Sequence, residues 1–332
     1  MTYQVLISDN VDQKAVSLLQ ATEGFNVTAP GNMSREEVLA AIPDADALII
    51  RSATTADAEL IEKATNLKVI ARAGVGVDNV DLNAATAKGI VVMNTPDGNT
   101  IATAEHTFGL MLSLARFIPT AHQSMNEGRW DRKVFVGAEL RGKTLGILGF
   151  GRIGRAVAKR ALAFEMTVIA YDPFVTSSDM DVELVDLDTL FARSDFLTLH
   201  SLITDDTREI IRKENLDKMK PGIRIINAAR GALINDEDLA AAIKSGLVAG
   251  AAVDVYASEP PPANNPLLSL TNVVHTPHLA ASTSDAQIQV GIDAAQEVID
   301  ALTKGEYSNV CNALVLKKKT GKNPLPPTPS PL

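Results

Sequence analysis

The sequence predicts an α/β protein built from two doubly wound parallel-sheet domains. Short apolar runs alternate with amphipathic helical patterns twice, once before residue 99 and again from Thr144, and such alternation produces parallel strands joined by crossover helices. The 332 residues also exceed what one ordinary core holds. Composition agrees, with 46 % apolar residues and 4 % aromatic ones, and a chain rich in Ala, Val, Ile and Gly suits sheets buried on both faces.

In the first set the strand candidates are residues 5–8, Phe25–Thr28, Ala47–Ile50, 68–72 and 90–93. Between them lie helical patterns such as 34–42, where Ser34 and Glu37 have the spacing of a capping box. Residues 99–117 read as a long helix apolar on most faces, which Pro119 breaks. The second set of strand candidates is Thr144–Leu148, Thr167–Tyr171, 196–200, 224–227, 250–255 and Val273–His275. One amphipathic helix over 282–302 closes the pattern. Residues 317–332 hold four lysines and five prolines without periodicity, the composition of a disordered tail.

The net charge of −9 excludes a broad nucleic-acid-binding face. A single cysteine, Cys311, forms no intrachain disulfide and supplies no cysteine metal site, so no metal is expected. The N-terminus lacks a secretory pattern, and no apolar run approaches the ~18 residues of a membrane span. A cytoplasmic protein without membrane partners is expected.

The strongest local signal is GFGRIG at 149–154, between an apolar strand and a helical pattern. Gly149 permits the tight turn, Gly151 lets backbone approach a pyrophosphate, and Gly154 lets helix and strand pack closely. The helix N-terminus adds free N–H groups and a positive dipole end. A second strand ends in Asp172, placed to bind both ribose hydroxyls of an adenosine, with no neighbouring cation for a 2′-phosphate. NAD is therefore expected rather than NADP.

An enzyme that exchanges hydride with a bound nicotinamide needs a proton carrier active near neutral pH, and one acting on an acid also needs a cation for the carboxylate. Histidine is the natural carrier, and the chain has five: His106, His122, His200, His275 and His278. His278 follows a strand end, Glu259 follows the preceding one, and Arg230 follows the one before that. A carboxylate beside imidazole orients the ring and favours its protonated form. The guanidinium fork holds a carboxylate in bidentate fashion. By spacing alone, ordinary structural roles for these three residues stay open.

These residues lie within a longer run of motifs: IRSAT at 50–54, ARAGVGVDNVDL at 71–82, NTPDGNTIATAEH at 94–106, GRWDRKVFVGAELRGKTLGILGFGRIG at 128–154, INAARGALIN at 226–235, DVYASEPP at 254–261 and HTPHLAAST at 275–283. Over about residues 3–315 the chain resembles the D-isomer-specific 2-hydroxyacid dehydrogenases, and most of all those acting on D-3-phosphoglycerate. The resemblance implies a flavodoxin-like substrate-binding domain (1–98 plus 283–316) and a Rossmann NAD-binding domain (99–282). It implies that Arg230 binds the substrate carboxylate, that Glu259 pairs with His278, and that His278 exchanges the hydroxyl proton. Asp254 would contact the nicotinamide carboxamide. Further cofactor contacts would fall at Arg152, Ile153, Ser201, Ala228, Ala229, Arg230, His278 and Ala280. Val75 and Gly76 would face the carboxylate, and Asn99 would lie near the nicotinamide. A homodimer through the cofactor domain is implied, with Trp130 on the exchanged arm and Arg132 reaching the partner's site.

Family substrates include phosphoglycerate, lactate, glyoxylate and hydroxypyruvate. Arg51 and Arg72 each follow an apolar strand, and two cations on neighbouring strand ends favour the phosphorylated acid over a glyoxylate, hydroxypyruvate or D-lactate reductase. An NAD-sensing corepressor-like protein is the alternative from another class. One departure from the family pattern is Leu202, where a proline is usual after His200 and Ser201. Because the chain ends soon after the closing helix, feedback through a further C-terminal domain is not expected.

Overall fold

The computed structural model describes residues 2–316, so the stretch 317–332, expected to be disordered, lies outside the described residues. The chain divides into two compact units, one made of residues up to Asn99 together with those from Thr283, the other Thr100–Ser282.

The first unit runs β1 (Tyr3–Ile7), α1 (Gln13–Ala21), β2 (Phe25–Thr28), α2 (Arg35–Ala41), β3 (Ala47–Ile50), α3 (Ala58–Lys63), β4 (Val69–Arg72), α4 (Leu82–Lys88) and β5 (Val91–Asn94). Short acidic or hydroxyl side chains start every helix: Asp12, Ser34, Asp57 and Asp81 each accept from a first-turn N–H. At Ser34 the reciprocal bond from Glu37 completes the capping box. The five strands are parallel in the order β2-β1-β3-β4-β5, the doubly wound order of flavodoxin-like sheets. Every residue of β3 is buried, as a central strand covered on both faces must be. Ile50 pairs with Arg72 and Arg72 with Asn94, so the chain leaves β3, β4 and β5 at one level of the sheet edge.

The second unit opens with α5 (Thr100–Arg116). Phe117 takes a left-handed conformation (φ 56°), and α6 (Ile118–Asn126) restarts with Pro119 in its first turn. Proline there costs no hydrogen bond, because first-turn N–H groups have no intrahelical partner. There follow β6 (Thr144–Leu148), α7 (Arg152–Ala163), β7 (Thr167–Tyr171), β8 (Glu183–Leu184), α8 (Leu187–Arg193), β9 (Phe196–Leu199), α9 (Lys213–Leu216), β10 (Ile223–Asn227), α10 (Asp236–Ser245), β11 (Val248–Val253) and β12 (Val273–His275). The last helix, α11 (Ser284–Lys304), belongs to the first unit and lies beside α1 there.

All seven strands of the second sheet are parallel, in the order β12-β11-β10-β9-β6-β7-β8. The connection reverses direction between β6 and β9, the switch point outside which ligands bind in such sheets. One face buries α5 and α7 side chains around Phe150 and Phe196. The other buries α8 to α10 around Phe191, Leu216 and Leu239.

Several strand readings shift by one or two residues: 5–8 is Tyr3–Ile7, 68–72 is Val69–Arg72, 90–93 is Val91–Asn94 and 224–227 is Ile223–Asn227. The run 250–255 forms a strand only as Val248–Val253, because Asp254 turns its carboxylate to the next loop rather than continuing the ladder. The run 196–200 likewise ends at Leu199, leaving His200 just past β9. The two-residue β8 had no sequence signal; it is too short and too polar to show alternation.

Candidate active site

The cradle after β6 is shaped by its glycines. Gly149 has φ +94°, and a Cβ there would stand 2.7 Å from the backbone of His200. A Cβ on Gly154 would stand 2.3 Å from the Gly149 carbonyl oxygen, so β6 and α7 close to a distance that only glycine allows. Gly151 caps α7 with no side-chain hydrogen bond, and a Cβ built on it would meet nothing within 4 Å. Arg152 and Ile153 are the first two residues of that helix. Open space over an uncapped helix N-terminus fits a pyrophosphate.

Asp172 follows β7 and accepts from the backbone of Phe150 (2.8 Å) and Phe174 (2.9 Å), which ties the acid to the cradle. Across the switch point His200 follows β9. Burial pushes its imidazole down to about 3, so it is neutral, and it bonds Thr198 through Nε2 at 2.9 Å. The buried Nδ1 of His200 and Oγ of Ser201 have no hydrogen-bond partner, and such orphans at a ligand edge are expected where a polar ligand completes them. Leu202 is exposed.

The three proton- and charge-handling candidates follow β10, β11 and β12, which are neighbours in the sheet. After β10, fully buried Asn227 fixes the turn: its Nδ2 donates to the Arg230 carbonyl at 2.9 Å and its Oδ1 accepts from Ala229 N at 3.1 Å. Ala228 and Ala229 form that turn, and Arg230 Nη1 donates to the Ala229 carbonyl at 2.8 Å. After β11, Glu259 Oε1 accepts from Tyr256 N at 3.1 Å. Glu259 Oε2 pairs with His278 Nδ1 at 2.7 Å. With Nδ1–H given to the carboxylate, Nε2 is the atom left for proton exchange. His278 is 51 % exposed at its side chain, and with Glu259 it lines a cavity of about 430 Å³ walled by Tyr256, Pro260, Pro261 and Leu268.

His278 sits at φ +56°, a conformation that costs a non-glycine residue of order 1–2 kcal/mol. Asp254 holds it there. The Asp254 carbonyl accepts from His278 N at 2.8 Å, and its carboxylate accepts from Leu279 N (2.8 Å), Ala280 N (2.9 Å), Thr276 Oγ1 (2.5 Å) and His106 Nε2 (3.2 Å). Burial pushes this carboxyl up, and the hydrogen bonds from His106, Thr276, Leu279 and Ala280 more than offset it, leaving it below the usual range. The Asp254 side chain is fully buried, enclosed by this loop and by His106 of α5.

In the first unit, Arg51 and Arg72 stand at adjacent strand ends. Asp9 accepts from the backbone of Arg51, Ala53 and Thr54, while Asn79 donates to the carbonyls of Arg51 and Thr54. The Arg72 guanidinium occupies the space a Cβ on Gly74 would need (φ +146°). Val75 and Gly76 follow, and Asn94 Nδ2 donates to the Val75 carbonyl at 2.5 Å. Asn99 has a buried Oδ1 with no hydrogen-bond partner. Arg132 is exposed in the segment after α6, and Trp130 beside it is 78 % exposed.

Residues 108–280 match the family model of the D-isomer specific 2-hydroxyacid dehydrogenase, NAD binding domain. The chain belongs to the D-isomer specific 2-hydroxyacid dehydrogenase family. It is 50 % identical over 305 residues to D-3-phosphoglycerate dehydrogenase of Archaeoglobus fulgidus, covering 91 % of this chain and 58 % of that protein. It is 48 % identical over 302 residues to hydroxypyruvate reductase of Thermotoga maritima, covering 90 % and 98 % respectively. A glyoxylate reductase structure from Paecilomyes thermophila superposes with a TM-score of 0.85 at 31 % identity, covering 93 % of this chain and 98 % of that one. The chain thus spans less than two thirds of the Archaeoglobus relative and nearly all of the Thermotoga one. Family membership and the glycine cradle together make NAD the cofactor. Among the described residues no helix is long and apolar enough to cross a membrane.

The residues of this site that sequence reasoning missed are the supports: Asn227, His106, Thr276 and Tyr256. The polar ends of β10 and β12 were the available signal for Asn227 and Thr276. His106 and Tyr256 gave none, because their partners are 148 and 19 residues away.

Proposed function

We propose that the chain oxidises D-3-phosphoglycerate to 3-phosphohydroxypyruvate with NAD. The observation that carries the reaction is the 2.7 Å pair between His278 Nδ1 and Glu259 Oε2, on the strand end next to that of Arg230. NAD, when bound, accepts the C2 hydrogen as hydride. Arg230 holds the substrate carboxylate by a bidentate fork. His278 Nε2 takes the hydroxyl proton as the C–O bond becomes a carbonyl, and Glu259 balances the charge that the ring acquires. Asp172 and the uncapped start of α7 hold the adenosine ribose and pyrophosphate. Arg51 and Arg72 are assigned to the substrate phosphate, with Val75, Gly76 and Asn99 lining the remainder. The likeness to the D-3-phosphoglycerate dehydrogenase of Archaeoglobus supports this substrate.

Initial rates of NADH formation across D-3-phosphoglycerate, D-glycerate, D-lactate and glycolate test the assignment. The highest kcat/KM belongs to the phosphorylated acid on this reading. A higher value for hydroxypyruvate reduction by NADH would select the second reading, which the Thermotoga relative supports because this chain spans 98 % of it. We further propose a cytoplasmic homodimer through the Trp130 arm, where Trp130, Val134 and Val136 expose 78 %, 72 % and 77 % of their surface. Arg132 would then act in the partner's site. Sedimentation of a Trp130→Ser variant as a monomer is the expected result, and an unchanged dimer would remove the arm from the interface.

A further inference from the structure

The segments that carry Arg230, Glu259 and His278 all meet at one residue of the 254–261 motif, Tyr256. Gly231, next to Arg230, is pressed against the backbone of Tyr256; a Cβ on it would stand 1.9 Å from the Tyr256 carbonyl carbon. Tyr256 N donates to Glu259 Oε1 at 3.1 Å. Its phenol oxygen meets His275 Nδ1 at 2.8 Å, the two rings lying 6.4 Å apart and inclined by 19°. Tyr256 stands three residues before Glu259, and His275 three before His278. Two rungs therefore join the loop after β11 to the end of β12 and the loop that follows it, Tyr256 to His275 and Glu259 to His278.

The first rung does what Asp254 does not. Asp254 fixes the backbone of residues 278–280, yet none of its bonds governs where the Glu259 loop stands. Tyr256 is 8 % exposed, and burial lowers the His275 imidazole below its ordinary range, so the pair is neutral at neutral pH. A neutral, part-buried hydrogen bond is a spacer with no charge of its own to place beside the reacting atoms.

We propose that Tyr256 and His275 form a positioning pair for hydride transfer, holding the Glu259 loop at the distance from which its carboxylate fixes the His278 tautomer. The proposal rests on reading Glu259 and His278 as the acid–base pair. Tyr256→Phe and His275→Leu each remove the rung while keeping most of the packing. Each is expected to lower kcat by roughly five- to tenfold, the worth of one part-buried hydrogen bond. KM for the acid and the NAD dissociation constant should stay within about twofold, because neither residue is assigned to a ligand. The double variant should lose no more than either single one. His275→Gln, which restores an acceptor for the phenol, should recover part of the loss.

The assay uses D-3-phosphoglycerate with NAD, or hydroxypyruvate with NADH if that pair turns over faster. NAD binding is followed separately by isothermal titration calorimetry, and folding by thermal melting. Wild-type kcat in both rung variants, with His278→Ala inactive, overturns the proposal and leaves the acid–base reading standing. Full turnover in His278→Ala overturns both. Equal losses in melting temperature with unchanged kcat would make the rung structural only and also overturn it.

Discussion

The two units share a parallel architecture but equip their strand ends differently. In the first, polar side chains hold backbone: Asp9 binds three N–H groups, Asn79 two carbonyls and Asn94 one. In the second, Asn227 and Asp254 also hold backbone, and side chains bind one another besides, Glu259 to His278 between loops and Asp254 to Thr276 and to His106 on α5. On the proposed reading the first network recognises the substrate anion and the linked carboxylate and imidazole of the second move the proton, so each can be broken without the other.

The largest break is expected at Glu259. Glu259→Gln keeps the size and removes the charge, and should lower kcat about 100-fold with little change in NAD affinity, measured by initial rates and isothermal titration calorimetry. Arg72→Ala, in the other network, should raise KM for D-3-phosphoglycerate roughly ten- to thirtyfold and leave kcat within about threefold. Equal effects on D-glycerate and the phosphorylated acid would contradict the phosphate role. Gly154→Ala forces a methyl to 2.3 Å from the Gly149 carbonyl oxygen. Its cost should be about 1–3 kcal/mol in denaturant melts, together with weaker NAD binding.

The smallest break concerns stability alone. Burial, with Asp293 and Asp300 adding to it against the bond from Asn309, pushes the Glu297 carboxyl on α11 up to about 8. A carboxyl raised above its unfolded value binds a proton more tightly when folded. That contribution is whole below pH ~4.5 and is lost as pH rises toward 8. Glu297→Gln should therefore be more stable than wild type at pH 8 by on the order of a few kcal/mol in denaturant melts, with the gap closing near pH 5. A constant gap across that range would show that the carboxyl stays ionised when folded.

Much of this was legible in the chain. The cradle, Asp172 and the succession Arg230, Glu259, His278 are local patterns, because a strand end and the loop after it are contiguous. What hid was non-local. His275 read as a plain strand residue since its partner Tyr256 lies on another loop, and the enclosure of Asp254 follows from four donors spread over residues 106–280. The left-handed backbone of His278 was equally invisible, being imposed by Asp254 rather than by histidine.

The central claim is that His278 carries the proton while the cradle carries the cofactor. It is tested most directly by His278→Ala, assayed for NADH formation from D-3-phosphoglycerate beside a calorimetric titration with NAD. The account predicts a kcat loss exceeding about 100-fold with NAD affinity unchanged. Turnover within a few-fold of wild type, at equal NAD binding, would contradict it.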